Sequence, residues 1–324
     1  MDNIKVSIVI PTYNRKESLK ETLDSLLNQT YPEDRYEIIV CDDGSVDGTE
    51  EMMSELIRES PRVIRYLKQE NRGPASARNL GISIAAGEIV GFTDDDCTIS
   101  REWIEKALPY FDCEEVGGVI GYTLPREAYT EKVFEAVHTL QITEDEGSYA
   151  TCNIFYKKNV LIEVGGFDTT FGMAFCEDTD LGLRIKEKNY RICFGKNVLA
   201  YHAIGHRSIV KHLKSLRKYE SVVLLHKKHP ELKKNLFLGF IHNKKHIYPV
   251  LTLLSIVSYA YGSSYMYLFL PAAVLSYSWA HVFINLRIKM YPFRILMVVK
   301  HFVPDTVRLY YAIRGSIRYK YLLI

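Results

Sequence analysis

The chain predicts an α/β fold, a mainly parallel sheet with helices on both faces, on three observations. Short β-branched runs alternate with segments whose apolar residues recur at helical spacing. That β-α-β-α order is the signature of parallel strands joined by helical crossovers. The runs end in polar clusters, and in open α/β sheets ligands sit beyond the carboxyl ends of the strands.

The elements follow in order. Val6 to Ile10 is a β-branched run stopped by Pro11, after which Leu19, Leu23, Leu26 and Leu27 recur at helical spacing. Ile38 to Cys41 repeats the strand pattern, and Asp47 with Glu50 three residues later resembles a capping box for a helix through about residue 59. A third strand near Val63 to Leu67 and a helix from Pro74 to about Ala86 lead to Glu88–Thr93, which ends in Asp94-Asp95-Asp96. Further strands are expected at Val119-Ile120-Gly121 and at Cys152 to Tyr156. Gly165-Gly166 stops a helix that begins near Lys157, Glu177 opens another through about Lys188, and Arg207 to about Lys228 reads as a basic amphipathic helix.

With 324 residues, 47% apolar and 25% charged, the chain has room for one large α/β domain and an appendage, and extensive disorder is excluded. The formal charge of +2 conceals an asymmetry: residues 1–205 hold 22 Lys/Arg against 36 Asp/Glu, residues 206–324 hold 19 against 3. We therefore expect a catalytic domain over 1–205 and a basic amphipathic helical linker over 206–246.

Residues 247–286 contain no Lys, Arg, Asp or Glu over 40 positions, room for roughly two spans of about 20 residues each. Gly262-Ser263-Ser264 could be the turn, and the basic flanks Lys244, Lys245, Arg287 and Lys289 favour a membrane hairpin with both ends cytoplasmic. The alternative is a buried helical pair in a soluble domain. Residues 287–324 form a basic, aromatic-rich tail that would suit an anionic leaflet, or equally an amphipathic helix packed on the catalytic domain. The six cysteines show no paired Cys-x-x-Cys spacing and read as reduced cytosolic thiols. The start of the chain lacks secretory-signal features, so the catalytic half is expected on the cytoplasmic side of a membrane.

Three strand-end clusters converge on one edge: Pro11-Thr12-Tyr13-Asn14, Asp42-Asp43-Gly44-Ser45 and Asp94-Asp95-Asp96. Asp94 and Asp96 suit a hard cation such as Mg2+ or Mn2+ shared with substrate phosphates, although most isolated acidic triplets are solvated loops. Asp42 and Asp43 could accept from ribose hydroxyls or a base; an Asx turn set by Gly44 and Ser45 explains them equally well. Asn71 to Asn79 places Arg72 and Arg78 around a helix start, suited to a phosphate or a nucleobase, or else forms a surface turn. Glu177, Asp178 and Asp180 open a helix, where acids ordinarily complement the dipole; facing a metal site, one of them could take a proton from an incoming hydroxyl. His202 could bring an imidazole to the metal, or be a packed residue.

Taken together, Val6 to Asn14, Asp42 to Ser45, Asn71 to Asn79, Asp94 to Asp96, Gly165-Gly166-Phe167-Asp168 and Glu177-Asp178 resemble glycosyltransferase family 2 over about residues 4–205. The resemblance implies a GT-A (Rossmann-like) fold and an inverting hexosyltransferase using a nucleotide-diphosphate sugar, a UDP-sugar favoured. It implies that Pro11, Thr12, Tyr13, Asp43 and Arg78 hold the nucleotide and that Asp94 and Asp96 serve the ribose and metal-diphosphate. Asp178, with Glu177 beside it, would be the general base, and His202 a further metal ligand. The acceptor would be lipid-linked or a surface glycan, and no nucleic acid is expected as a partner. A Gln-x-x-Arg-Trp motif is not evident, which weighs against a processive polysaccharide synthase. Two other readings compete: an inactive membrane scaffold and a sugar-phosphate nucleotidyltransferase.

Overall fold

The computed structural model describes residues 4–59, 63–128, 135–236, 241–242, 250 and 291–323. The described residues fall into two compact units, one within 1–129 and 138–205, the other within 130–137 and 206–324.

In the first unit the strands β1 (Val6–Thr12), β2 (Tyr36–Asp42), β3 (Ile64–Lys68), β4 (Ile89–Phe92), β5 (Cys97–Ile99), β6 (Val116–Pro125), β8 (Ile154–Lys157) and β9 (Arg191–His202) form one sheet. Its order is β3-β2-β1-β4-β8-β6-β9-β5. β1 lies parallel to β2 and β4, β2 to β3, and β6 to β9; β8 runs antiparallel between β4 and β6, and β5 antiparallel on β9. The mainly parallel sheet is thus present, with β8 and β5 reversed. Every residue of β1, β2 and β4 is buried, as strands covered on both faces must be.

The helices α1 (Lys16–Leu27), α2 (Thr49–Glu59) and α3 (Pro74–Ile84) connect the parallel strands. α1 buries Leu19, Leu23 and Leu26, the stripe read from the sequence. α3 approaches β1 so closely that a Cβ at Gly81 would meet Val9 Cγ1 at 2.4 Å, so only glycine fits there. Short helices α4 (Trp103–Ala107) and α5 (Lys158–Glu163) and the longer α6 (Glu177–Glu187) complete the unit. Gly165 (φ 81°) and Gly166 (φ 69°) end α5 in left-handed conformation, with the Gly166 N–H donating to Leu161 O, as expected.

Three local expectations need correction. Asp47 forms no capping box: its carboxylate accepts from Thr49 and from the Lys16 N–H, linking the starts of α1 and α2, while Glu50 pairs with Lys68. The strand expected from Cys152 begins at Ile154, because the Asn153 N–H turns back to donate to Ala150 O, while its side chain bonds Trp103, Tyr122 and Val198. The single helix expected over 207–228 is broken.

That last segment belongs to the second unit. Gly205–Ser208 is a strand (β10) paired with Glu135–His138 (β7); then follow α7 (Ile209–Ser215), a 3-10 turn at Leu216–Tyr219 and α8 (Glu220–Lys228). Ser208 caps α7 by accepting from the Lys211 N–H. Glu220 through His226 are all buried, so α8 is a core element and not an amphipathic one. A helix over Tyr291–Tyr319 packs on it, with Arg314 and Arg318 paired to Glu220. Among the described residues no helix is long and apolar enough to cross a membrane, and the hairpin expected over 247–286 lies outside them apart from Val250.

Candidate active site

Three carboxylates leave β4 in three directions. Asp95 turns inward, 5% exposed, where Thr12 Oγ1 donates to it at 2.8 Å and Arg15 Nη1 at 2.9 Å. Burial pushes its carboxyl up to about 6, against the pull of Arg15 and Thr12. Asp94 receives Arg78 Nη2 at 3.1 Å. Asp96 takes the same Arg15 Nη1 on Oδ2 at 2.7 Å, while its buried Oδ1 has no hydrogen-bond partner.

That unpartnered oxygen faces His202 Nε2 at 3.5 Å. The encounter is built by the sheet. β5 follows the triplet and pairs antiparallel with β9, which sets Cys97 opposite His202 and lets the Ala203 N–H donate to Asp96 O. His202 Nδ1 lies 2.8 Å from Ala203 O; a carbonyl only accepts, so Nδ1 carries the proton and in the neutral ring Nε2 points a lone pair at Asp96.

With the ring in that neutral form, two acceptors face each other across a gap suited to a cation. A carboxylate oxygen of Asp96, Cys97 Sγ and a ring nitrogen of His202 lie within 4.8 Å of one another. A carboxylate oxygen and an imidazole nitrogen are suitable donors for Mg2+ or Mn2+. The residues present therefore fit a divalent ion, with Asp94 two positions away on the same loop.

Arg78 ties the triplet to α6. Its guanidinium is 3% exposed and forks between Asp94 and Glu177 Oε1, the latter at 2.9 Å. Glu177 is equally buried, and burial together with Asp178 drives its carboxyl well above the usual range. Cys176, the residue that caps the start of α6, is held in left-handed conformation at φ 75°, strained for a residue with a Cβ. Asp178 is half-buried; its Oδ1 accepts the Thr179 N–H at 2.7 Å, and burial raises its proton affinity. Among the described residues no hydrogen bond reaches Asp178 Oδ2.

Asp43 is 5% exposed and satisfied within the protein: Oδ1 accepts from Gln69 Nε2 and the Arg72 N–H, Oδ2 from the Gly73 N–H. It anchors the turn at Gly73 (φ 90°) that delivers Pro74 to the first position of α3. Asn79 in turn clamps the backbone of Phe167 through both its amide groups at 2.8 Å, and Arg78 lies 5.6 Å over the Phe167 ring. Pro11 is buried in β1, whereas Tyr13 is 48% exposed beyond it. Asn14 (φ 52°) exchanges hydrogen bonds with Ser45 and Val46, tying the first two strand-end loops together.

The structure thus gathers Thr12, Arg78, Asp94, Asp96, Glu177 and His202 around the triplet in two bonded groups, Arg78 with Asp94 and Glu177, and Arg15 with Asp95, Asp96 and Thr12, with His202 opposite Asp96 and Asp178 adjoining. Sequence reasoning missed Arg15, the cation that bridges Asp95 and Asp96; a lone arginine directly after the first strand end, facing an acidic triplet, was the available signal. It also missed the clamp of Asn79 on the Gly165–Asp168 turn, for which the sequence carries no sign.

The class of protein to which this sheet and its acidic strand end belong is given by comparison with known proteins. Residues 7–175, more than half of the chain, match the model for Glycosyl transferase family 2, and the chain belongs to that family. It is 28% identical over 203 residues to "Glycosyltransferase AglE" of Haloferax volcanii, covering 61% of this chain and 66% of that protein. It is 30% identical over 225 residues to "Glucosyl-dolichyl phosphate glucuronosyltransferase" of the same organism, covering 62% and 70%. The fold is the expected GT-A fold: a mannosyltransferase from Pyrobaculum calidifontis, in complex with GDP-Man and Mn2+, superposes with TM-score 0.59 at 20% identity over 97% of this chain and 86% of that one.

Proposed function

We propose that the protein is an inverting hexosyltransferase that moves a sugar from a nucleotide-diphosphate sugar, with a UDP-sugar favoured, to a hydroxyl of a lipid-linked or surface-glycan acceptor. The observation that carries the reading is the unpartnered Asp96 Oδ1 opposite His202 Nε2, joined through the triplet and Arg78 to the start of α6. Asp96 and His202, with Asp94, would hold a Mg2+ or Mn2+ ion, which when bound supplies charge neutralisation for a departing diphosphate.

Asp178 is the group for proton transfer. Its Oδ1 is engaged by Thr179, so Oδ2 takes the acceptor hydroxyl proton while that oxygen bonds to the anomeric carbon and the bond to the diphosphate breaks with its electron pair. One displacement inverts the anomeric centre. Glu177 neutralises Arg78 and sets the start of the helix on which Asp178 sits. Pro11, Thr12, Tyr13, Asp43 and Arg78 line the nucleotide side, Asp43 acting through the Arg72–Gly73 turn that it holds.

Residues 247–286 embed the chain in a membrane with the catalytic half on the cytoplasmic side, a reading supported by their lack of charge and by the basic flanks. A lipid-linked acceptor is consistent with that placement, and with the dolichyl phosphate-linked substrate in the name of one relative. The test is nucleotide release from UDP-sugars and GDP-sugars by membranes containing the protein, with the product anomer assigned by NMR. Acceptor-dependent release with inversion is expected; release with retention would contradict the mechanism.

A further inference from the structure

The helix Tyr291–Tyr319 has two unlike faces over its second half, from residue 302 on. Pro304, Asp305, Leu309, Ala312 and Gly315 are buried, and a Cβ on Gly315 would meet Val223 of α8 at 2.9 Å. This face is packed within its own unit, against α8. The other face is open and apolar. Val303 (39% exposed), Tyr310 (58%), Ile313 (42%) and Ile317 (76%) recur at seven-, three- and four-residue steps, which puts them on one stripe.

Basic residues flank the stripe. Arg314 and Arg318 share the one carboxylate of Glu220, so the trio keeps a net positive charge, and exposed Lys320 adds another. An aromatic and aliphatic stripe bordered by cations matches the boundary between headgroups and acyl chains of an anionic leaflet. The charge-free 247–286 segment ends only a few residues before this helix, so the helix starts close to any bilayer that segment enters.

We propose that this helix lies in the plane of an anionic lipid surface, with Val303, Tyr310, Ile313 and Ile317 entering the headgroup region and Arg314, Arg318 and Lys320 contacting lipid phosphates. This second membrane contact rests on the membrane reading of residues 247–286 but is separable from it. It is independent of the metal site.

The test uses the full chain with an environment-sensitive fluorescent amino acid encoded at position 317. It is mixed with vesicles of phosphatidylcholine alone or with one-third phosphatidylglycerol, and followed by emission and by co-sedimentation. The expected result is a blue shift that is larger with phosphatidylglycerol and reversed toward the vesicle-free spectrum by molar salt, with the same charge dependence reduced in Lys320→Gln. Co-sedimentation without any shift, or with equal shifts in both vesicles, would overturn the proposal while leaving the hairpin reading intact; no co-sedimentation would overturn both. A shift without vesicles would also overturn it, marking a second copy as the occupant if it grows with protein concentration and this chain's own segment if it does not.

Discussion

Asp96 Oδ1 and His202 Nε2 face each other across 3.5 Å, the first without a hydrogen bond and the second on a ring whose Nδ1 lies 2.8 Å from Ala203 O. The contact joins residues more than a hundred positions apart, and it exists because β5 turns straight back from the aspartates to pair with the end of β9. His202→Gln should keep the fold and weaken Mn2+ affinity by about tenfold or more, on the scale of losing one orienting or ligating imidazole. Mn2+ electron paramagnetic resonance, which counts free ion, measures it; unchanged affinity would remove His202 from the site.

Arg78 is the structural keystone between the triplet and α6. Arg78→Met leaves Glu177 buried beside Asp178 with the cation it pairs with gone, and should cost on the order of 3–5 kcal/mol in denaturant unfolding. Arg78→Lys should recover little, because an ammonium cannot fork to Asp94 and Glu177 together. Full rescue by lysine would show that only the charge matters.

Asp178→Asn should lower kcat by about a hundredfold to ten-thousandfold, the usual scale for a general base, with KM for the donor nearly unchanged. The carboxamide keeps the Thr179 contact and loses the proton acceptor. A change confined to KM would place Asp178 in binding instead.

Much of this site was legible in the sequence because strand ends are chemically labelled. β1 and β4 read as largely apolar runs, so the residues at and just beyond their ends, Thr12 and Asp94 to Asp96, emerge at the sheet edge. The helix starts at Pro74 and Glu177 were likewise legible from their terminal residues. Partnerships were not. Nothing local says that Asp43 spends its oxygens on the Arg72 and Gly73 backbone, or that Arg15 reaches two aspartates eighty positions away, since those depend on how loops from different strands meet. The 3-10 turn at Leu216–Tyr219 that interrupts the helical stretch was not legible either, because the period of the apolar residues runs on across it.

Asp43→Ala tests the anchoring role directly. It strands two backbone N–H groups ahead of α3 and should cost about 1–3 kcal/mol, together with weaker nucleotide binding. Loss of binding without loss of stability would mean that the carboxylate meets the nucleotide itself.

Acid should destabilise the second unit through His226. This imidazole is buried, its Nε2 lies 3.2 Å from His242 Nδ1, and burial first, then the His242 charge, pushes its pKa down to about 4. The unfolded chain takes up that proton near the ordinary histidine value of about 6.5. Between these values the unfolded state binds more protons, so stability falls as pH drops from about 6.5 toward about 4 and levels off below. Melting temperatures across this range should fall more steeply for the parent than for His226→Asn; parallel curves would contradict the assignment.

The central claim is that Asp96 and His202 make a cation site that serves a nucleotide-diphosphate. Thermal stabilisation by UDP, GDP and dTDP, each with and without Mn2+, tests it most directly in the parent chain and in Asp96→Ala. The account predicts that one nucleotide raises the melting temperature only when Mn2+ is present, and that Asp96→Ala abolishes the rise. Stabilisation by a nucleotide to the same extent without the metal, or in Asp96→Ala, would contradict it.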